Sequence, residues 1–136
     1  MKAGKKTLSV LIVGGFLSIA FVQPFNLKQS IEAGKKVYET NCMNCHMQDG
    51  KGLEGVFPPV AQSDFLKKSP NEIIDVLVKG QSGEIKVNGV TYNGVMPSVE
   101  YLSDQEIADV LNYIQNSWGN KNTKPILPDQ VKKRRS

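Results

Sequence analysis

Both cysteines of this 136-residue chain and its only histidine fall in one run of five residues, Cys42-Met43-Asn44-Cys45-His46. All thiol and imidazole chemistry is therefore confined to one place, and the fold must be built around it. Two thiols three residues apart on a helical turn reach the two vinyl groups on one edge of a haem. The adjacent imidazole then points at the iron from the proximal face. The C-x-x-C-H pattern thus predicts one covalently bound haem c, with Cys42 and Cys45 as thioethers and His46 as the proximal iron ligand. Plainer readings account for less. A structural Cys42–Cys45 disulfide would close a tiny loop and leave His46 unexplained. A thioredoxin-like redox pair needs a βαβ context that the pattern of elements does not offer. A zinc site needs a fourth ligand, and three ligands within five residues surround a tetrahedral ion poorly.

The sixth iron position is argued by elimination. With a single histidine, bis-histidine ligation within one chain is ruled out. Of the four methionines, Met1 belongs to the leader, and Met43 and Met47 sit beside the attachment site on the proximal side. Met96 remains, followed by Pro97, which holds the backbone extended. A methionine there also serves as core filling, but Met96 is the one competent soft ligand left. Histidine–methionine ligation raises the reduction potential and fills both axial positions, which suits electron transfer rather than oxygen binding.

The N-terminus reads as an export signal. Lys2, Lys5 and Lys6 precede an apolar run, Leu8 to Ala20, with Ser18 and Ala20 at the −3 and −1 positions of a cleavage site. The whole run, Thr7 to Val22, is shorter than the ~20 residues of a membrane span. Cleavage is therefore favoured over a membrane tether, and either outcome places the body outside the cytoplasmic membrane, in the periplasm or its equivalent.

Along the body, residues 21–29 form a linker with Pro24. A first helix runs from Ser30, as N-cap, to about Asn41, with Gly34 marking close approach of another helix. The stretch Gly50 to Gly55 and Pro58-Pro59 is loop. Ser69 to Lys79 is a helix with a capping box (Ser69, Glu72), Pro70 at its first position and Gly80 as its stop, burying Ile73, Ile74, Leu77 and Val78. Ile85–Val87 and Val90–Tyr92 flank Asn88-Gly89, the pair a type I′ hairpin turn prefers. A last helix spans Ser103 to Trp118, capped by Ser103 and Glu106, with Leu102 and Ile107 as a hydrophobic staple. Residues 120–136 read as a flexible tail with a basic tip, Lys132-Lys133-Arg134-Arg135, whose plainest role is as a solubility device. Trp118 and Tyr92 are candidate haem contacts, with core packing the plainer role.

The charge supports this organisation. The net +4 arises from 17 basic and 13 acidic residues. Setting aside the leader lysines and the basic tip leaves 10 basic residues against 13 acidic ones in the body. No basic helix or aromatic-interleaved basic stretch lies between the ends, so nucleic acid is not an expected partner.

The chain resembles the class I monohaem cytochromes c over about residues 30 to 119. The likeness is carried by a helix with Gly34 and Tyr38, the CMNCH run, a loop with a proline, a late methionine and a C-terminal helix. It implies an all-α cytochrome c fold, three or more helices around one covalent haem, here with a small β-hairpin insert before the axial methionine. It further implies that a loop proline carbonyl accepts the His46 Nδ1–H, with Pro58 the best match and Pro59 close behind. The first and last helices are implied to cross with Gly34 and Tyr38 against Leu111 and Tyr113. Met47 departs from the glycine that often follows the motif, and a local change of the loop is expected. More narrowly, the runs Val87 to Ser98, Leu102 to Ile107 and Asn116 to Gly119 are similar to cytochrome c units of copper nitrite reductases and of alcohol and sulfite dehydrogenases.

Three functions follow: an electron carrier between periplasmic or membrane-bound donor and acceptor proteins, a dedicated cytochrome subunit of a periplasmic oxidoreductase, or a haem sensor or ligand-binding protein with an open sixth position. Met96 argues against the third. No catalytic residues are expected, since no Ser/His/Asp set, carboxylate cluster or phosphate loop is present.

Overall fold

The computed structural model describes residues 24–135; the export signal read at residues 1–20 lies outside them. In chain order the elements are α1 (Leu27–Asn41), α2 (Met43–His46), a 3₁₀ turn (Asp64–Lys67), α3 (Pro70–Lys79), strands β1 (Ile85–Val87) and β2 (Val90–Tyr92), α4 (Asp104–Ile114) and α5 (Pro128–Lys132). The expected helical architecture with a small hairpin is what the chain adopts.

Helix α1 starts at Leu27 rather than after Ser30. Asn26 is the N-cap, its side chain accepting the Gln29 N–H at 3.1 Å. Asparagine caps as well as serine, and the Ser30 hydroxyl is needed elsewhere. It is buried, donates to Asp109 Oδ1, and accepts from Asn112 Nδ2 at 2.9 Å. Gly34, one turn on, lies against α4. A Cβ there would run into the Asp109 carbonyl and lie 2.9 Å from Tyr113 Cβ. Tyr113 is thus met as expected, while Asp109 rather than Leu111 sits opposite the glycine. Tyr38, 1% exposed, stacks its ring 5.5 Å from Tyr113 and 5.0 Å from Trp118. Such aromatic contacts add about 0.5–1.5 kcal/mol each beyond their burial.

The hairpin has the predicted register, Val87 opposite Val90. Asn88 and Gly89 both take positive φ, 48° and 84°, as a type I′ turn requires. Its tip is pinned to the 3₁₀ turn by reciprocal bonds, each 2.9 Å, between the backbone N–H of Asp64 or Asn88 and the side chain of the other.

Two expectations fail at the C-terminal end. Helix α4 stops at Ile114 instead of Trp118. Asn120 Nδ2 donates to the Ile114 and Val60 carbonyls, both at 2.8 Å, and Trp118 and Gly119 turn back in the left-handed region at φ 51° and 90°. Trp118 is thereby swung onto Tyr38 rather than extended along the helix stripe. The second failure is the tail. Residues 120–135 do not trail away but fold back over α4. Asn112 holds Ile126 by a reciprocal pair, Nδ2 to its carbonyl at 2.9 Å and its N–H to Oδ1 at 2.8 Å. Ile126 and Val131 are fully buried, each worth about 1.5–3 kcal/mol relative to exposure. The basic tip is partnered: Arg134 Nε donates to Asp75 Oδ1 on α3 at 2.9 Å, and Arg135 Nε to Asp104 Oδ1 at 2.6 Å.

Replacing Asn112 with alanine leaves the Ile126 N–H unpaired inside the protein, at about 1–3 kcal/mol per orphaned group. Urea denaturation of Asn112→Ala should show that loss, with residues 120–135 becoming sensitive to protease. Acid should act on a second set of contacts, those of the carboxylates. Asp75 is held below the usual carboxylate range by Arg134, and Glu72 and Glu106 by the hydroxyls of Ser69 and Ser103 in the two capping boxes. Their folded values lie below the unfolded ones, so their stabilisation is complete above the ordinary carboxylate range. It is lost as the pH falls through the depressed values. The thermal midpoint is expected to fall through that acid window and to fall less in Arg134→Ala.

Candidate haem site

The attachment sequence begins where α1 ends. The Cys42 N–H is bonded to the Tyr38 carbonyl at 2.9 Å, and the Cys42 carbonyl accepts the N–H of Cys45 at 3.2 Å and of His46 at 3.0 Å. This single turn, α2, sets Cys42, Cys45 and His46 along the wall of one cavity. The remaining walls are the Pro58-Pro59 loop, α3 through Ile73, Val76 and Leu77, the hairpin through Ile85, Val87 and Tyr92, the Gly94–Pro97 run, and α4 through Val110, Leu111 and Ile114. Its space, open mouth included, is about 1380 Å³, and among the described residues no Asp, Glu, Lys or Arg lines it.

The imidazole of His46 is oriented. Its Nδ1 lies 2.9 Å from the Pro58 carbonyl oxygen, an acceptor only, so Nδ1 carries the proton and Nε2 is left to bind a metal. Burial lowers its pKa, with the Pro58 bond acting against that shift. The ring is held neutral, the form that ligates. Gly52 makes the approach of that carbonyl feasible. At φ 63°, a Cβ there would lie 2.8 Å from the Pro58 oxygen. Its N–H also caps the His46 carbonyl at 3.0 Å. Burial, with Cys45 second, pushes the Cys42 thiol up to about 11, so the free thiol is neutral at ordinary pH.

Met96 lines the same cavity from much later in the chain, beyond α3 and the hairpin. Its backbone is fixed by a two-way bridge to Gln81, both N–H···O bonds 2.9 Å. Gly80 makes room: a Cβ there would stand 2.8 Å from the Met96 carbonyl and 3.0 Å from the Ser98 nitrogen. Ser98 Oγ then donates to the Val78 carbonyl at 2.7 Å, and Val99 N–H to the Leu77 carbonyl at 2.8 Å. The end of α3 thus determines where the methionine stands.

All five residues singled out for the cofactor, Cys42, Cys45, His46, Pro58 and Met96, come together at this cavity. Tyr92 joins them, but Trp118 does not line it and packs instead with Tyr38 and Tyr113, over Gly50. Sequence reasoning missed the positioning work of Gly52, Gly80 and Gln81. Gly80 was legible only as a helix stop. The donor set fits a haem: two thiols, a neutral imidazole with one nitrogen committed, and a thioether, around an apolar, charge-free space. Among the described residues no group of three His, Cys, Asp or Glu side chains is placed to hold a bare metal ion.

A helical fold wrapped around an apolar cavity with this donor set defines a class I, one-haem cytochrome c. Residues 31–118 match the family described as Cytochrome c, and the chain belongs to that family. It is similar to a cytochrome c-552 of Thermus thermophilus, 39% identical over 140 residues, covering 97% of this chain and 87% of that protein. It is also similar to the cytochrome c subunit of the quinone alcohol dehydrogenase of Gluconobacter oxydans (strain 621H), 35% identical over 107 residues, or 76% of this chain but 22% of that subunit. A further relative is a cytochrome c-553-like protein of a Synechocystis species, 29% identical over 117 residues, with 83% of this chain and 97% of that protein covered. The protein carries covalently bound haem c and functions in haem electron transfer.

Met47, directly after the motif, sits at φ 62° and ψ 163°, a region that is essentially glycine's own and costs other residues about 1–3 kcal/mol. Its carbonyl accepts the Tyr38 hydroxyl at 2.7 Å, which holds it there. Met47→Gly is expected to raise stability in guanidinium by about 1 kcal/mol, the relieved strain exceeding the flexibility glycine adds to the unfolded chain.

Proposed function

We propose that this protein is an extracytoplasmic electron carrier holding one electron on a haem attached through Cys42 and Cys45. In this reading His46 and Met96 are the axial ligands, and the Pro58 carbonyl orients His46. The observation that carries it is the His46 Nδ1–Pro58 bond at 2.9 Å, beside a cavity that Met96 also lines. The haem supplies one-electron redox chemistry when bound. The chain excludes water with α3, α4 and the hairpin, keeps the imidazole neutral, and offers sulfur as a soft ligand that favours the ferrous state. With both axial positions filled, no open coordination site is left for substrate, so the protein relays electrons and catalyses no reaction of its own. The apolar run behind Lys2, Lys5 and Lys6 supports export to the periplasm or its equivalent, with retention as a membrane tether the alternative.

Similarity over 87% of a cytochrome c-552, against 22% of a dehydrogenase subunit, favours a carrier over a dedicated subunit. Copurification of a dehydrogenase with the tagged protein at high salt would support the subunit reading instead.

Visible spectra test the ligand assignment. The ferric wild type should show the weak far-red sulfur-to-iron band, and Met96→Ala should lose it, bind added imidazole and have a lower reduction potential. Retention of the band in Met96→Ala would overturn the assignment.

A further inference from the structure

The chain between Met96 and α4 is fastened on both sides. On its inner side the end of α3 holds Ser98 and Val99, as described above. On its outer side stands Arg135, from the tip that reads in sequence as a solubility device. Its guanidinium donates from Nε to Asp104 Oδ1 at 2.6 Å, from Nη1 to the Glu100 carbonyl at 2.7 Å, and from Nη2 to the Leu102 carbonyl. One planar fork thus spans residues 100 to 104 at three acceptors. The base of this arginine is itself fixed, because Val131 is fully buried and Arg134 grips Asp75 on α3. A third fastening joins the same segment to the attachment side: the Tyr101 hydroxyl donates to Asn41 Oδ1 at 3.0 Å, and Asn41 lines the cavity beside Cys42.

We propose that Arg135 is a positioning residue that latches the segment from residue 97 to residue 104 and so sets how readily the sixth ligand exchanges. The proposal rests on the reading of Met96 as that ligand. Isolated surface ion pairs contribute little, but two of the three bonds here go to backbone carbonyls of the segment that must move. For Met96 to withdraw, residues 97–104 must shift outward, an opening of one segment rather than of the whole protein. The exchange is balanced without redox change: the Met96 sulfur–iron bond breaks, an incoming nitrogen–iron bond forms, and the iron remains ferric.

The test uses the full-length ferric holoprotein and added imidazole, followed by loss of the sulfur-to-iron band after mixing. Arg135→Ala is expected to speed exchange about tenfold, the weight of charge-assisted bonds lost to the segment. Arg135→Lys, which keeps a charge near Asp104 but not the fork, should fall between the two. Ser30→Ala provides the comparison, since it removes a buried hydroxyl at the α1–α4 crossing, away from the segment. It should lower the thermal midpoint while leaving exchange within about twofold of the wild type. An Arg135→Ala rate equal to the wild type, or an acceleration no greater than that of Ser30→Ala at matched stability, would overturn the latch. A ferric wild type lacking the band would overturn the Met96 assignment and the latch with it.

Discussion

The rest of the molecule depends on the contact of α1 with α4 at Gly34. Without a side chain at that position the two backbones meet at the Asp109 carbonyl. That closeness places Ser30 within reach of Asp109 and Asn112 and seats Tyr38 against Tyr113. From this crossing α1 runs directly into the attachment turn, since the Tyr38 carbonyl receives the Cys42 N–H. Helix α4 supplies the floor of the cavity through Val110, Leu111 and Ile114. One steric allowance therefore aligns the proximal wall with the core, and Asn112 carries the same reference out to the C-terminal segment.

The two sides of the cavity are built on different principles. On the His46 side, a short turn and a glycine-rich loop fold tightly, and Gly52 at positive φ lets the Pro58 carbonyl approach the ring. On the Met96 side, a long connection is fixed on its inner side by bonds to the end of α3 and on its outer side by the arginine fork. The first arrangement fixes a tautomer and a direction. The second places Met96 by its own bridge to Gln81 and by the bonds of Ser98 and Val99 to the end of α3. Between them lies an apolar space that, among the described residues, no charged side chain lines.

Much of this was legible because the local signals are strong and agree with one another. Ser69, Pro70, Glu72 and Gly80 bracket α3; Asn88-Gly89 marks the hairpin; and the clustering of both cysteines with the sole histidine locates the site. The failures have a common cause in contacts between distant parts of the chain. Ser30 resembles a cap because the pattern cannot show that its hydroxyl is committed to Asp109. Trp118 continues the apolar stripe of α4, yet Asn120 takes the Ile114 carbonyl and ends the helix early. The tail is polar in composition, and its three apolar residues, Ile126, Leu127 and Val131, are too few to give a periodicity to read. The burial of Ile126 and Val131 depends on Asn112, Asp75 and Asp104, none of which is near them in sequence. Gly52 and Gly80 looked like ordinary loop and stop glycines because the carbonyls they admit, those of Pro58 and Met96, come from other segments.

The proposed ligation puts Met96 and His46 on the two faces of one haem, and proton NMR of the reduced protein tests that most directly. A methionine methyl held against the iron lies in the shielding cone of the porphyrin ring. One three-proton singlet is expected far upfield of all other methyl signals, assigned to Met96 by selective labelling. Absence of that singlet, or its assignment to Met43 or Met47, would contradict the proposed ligation.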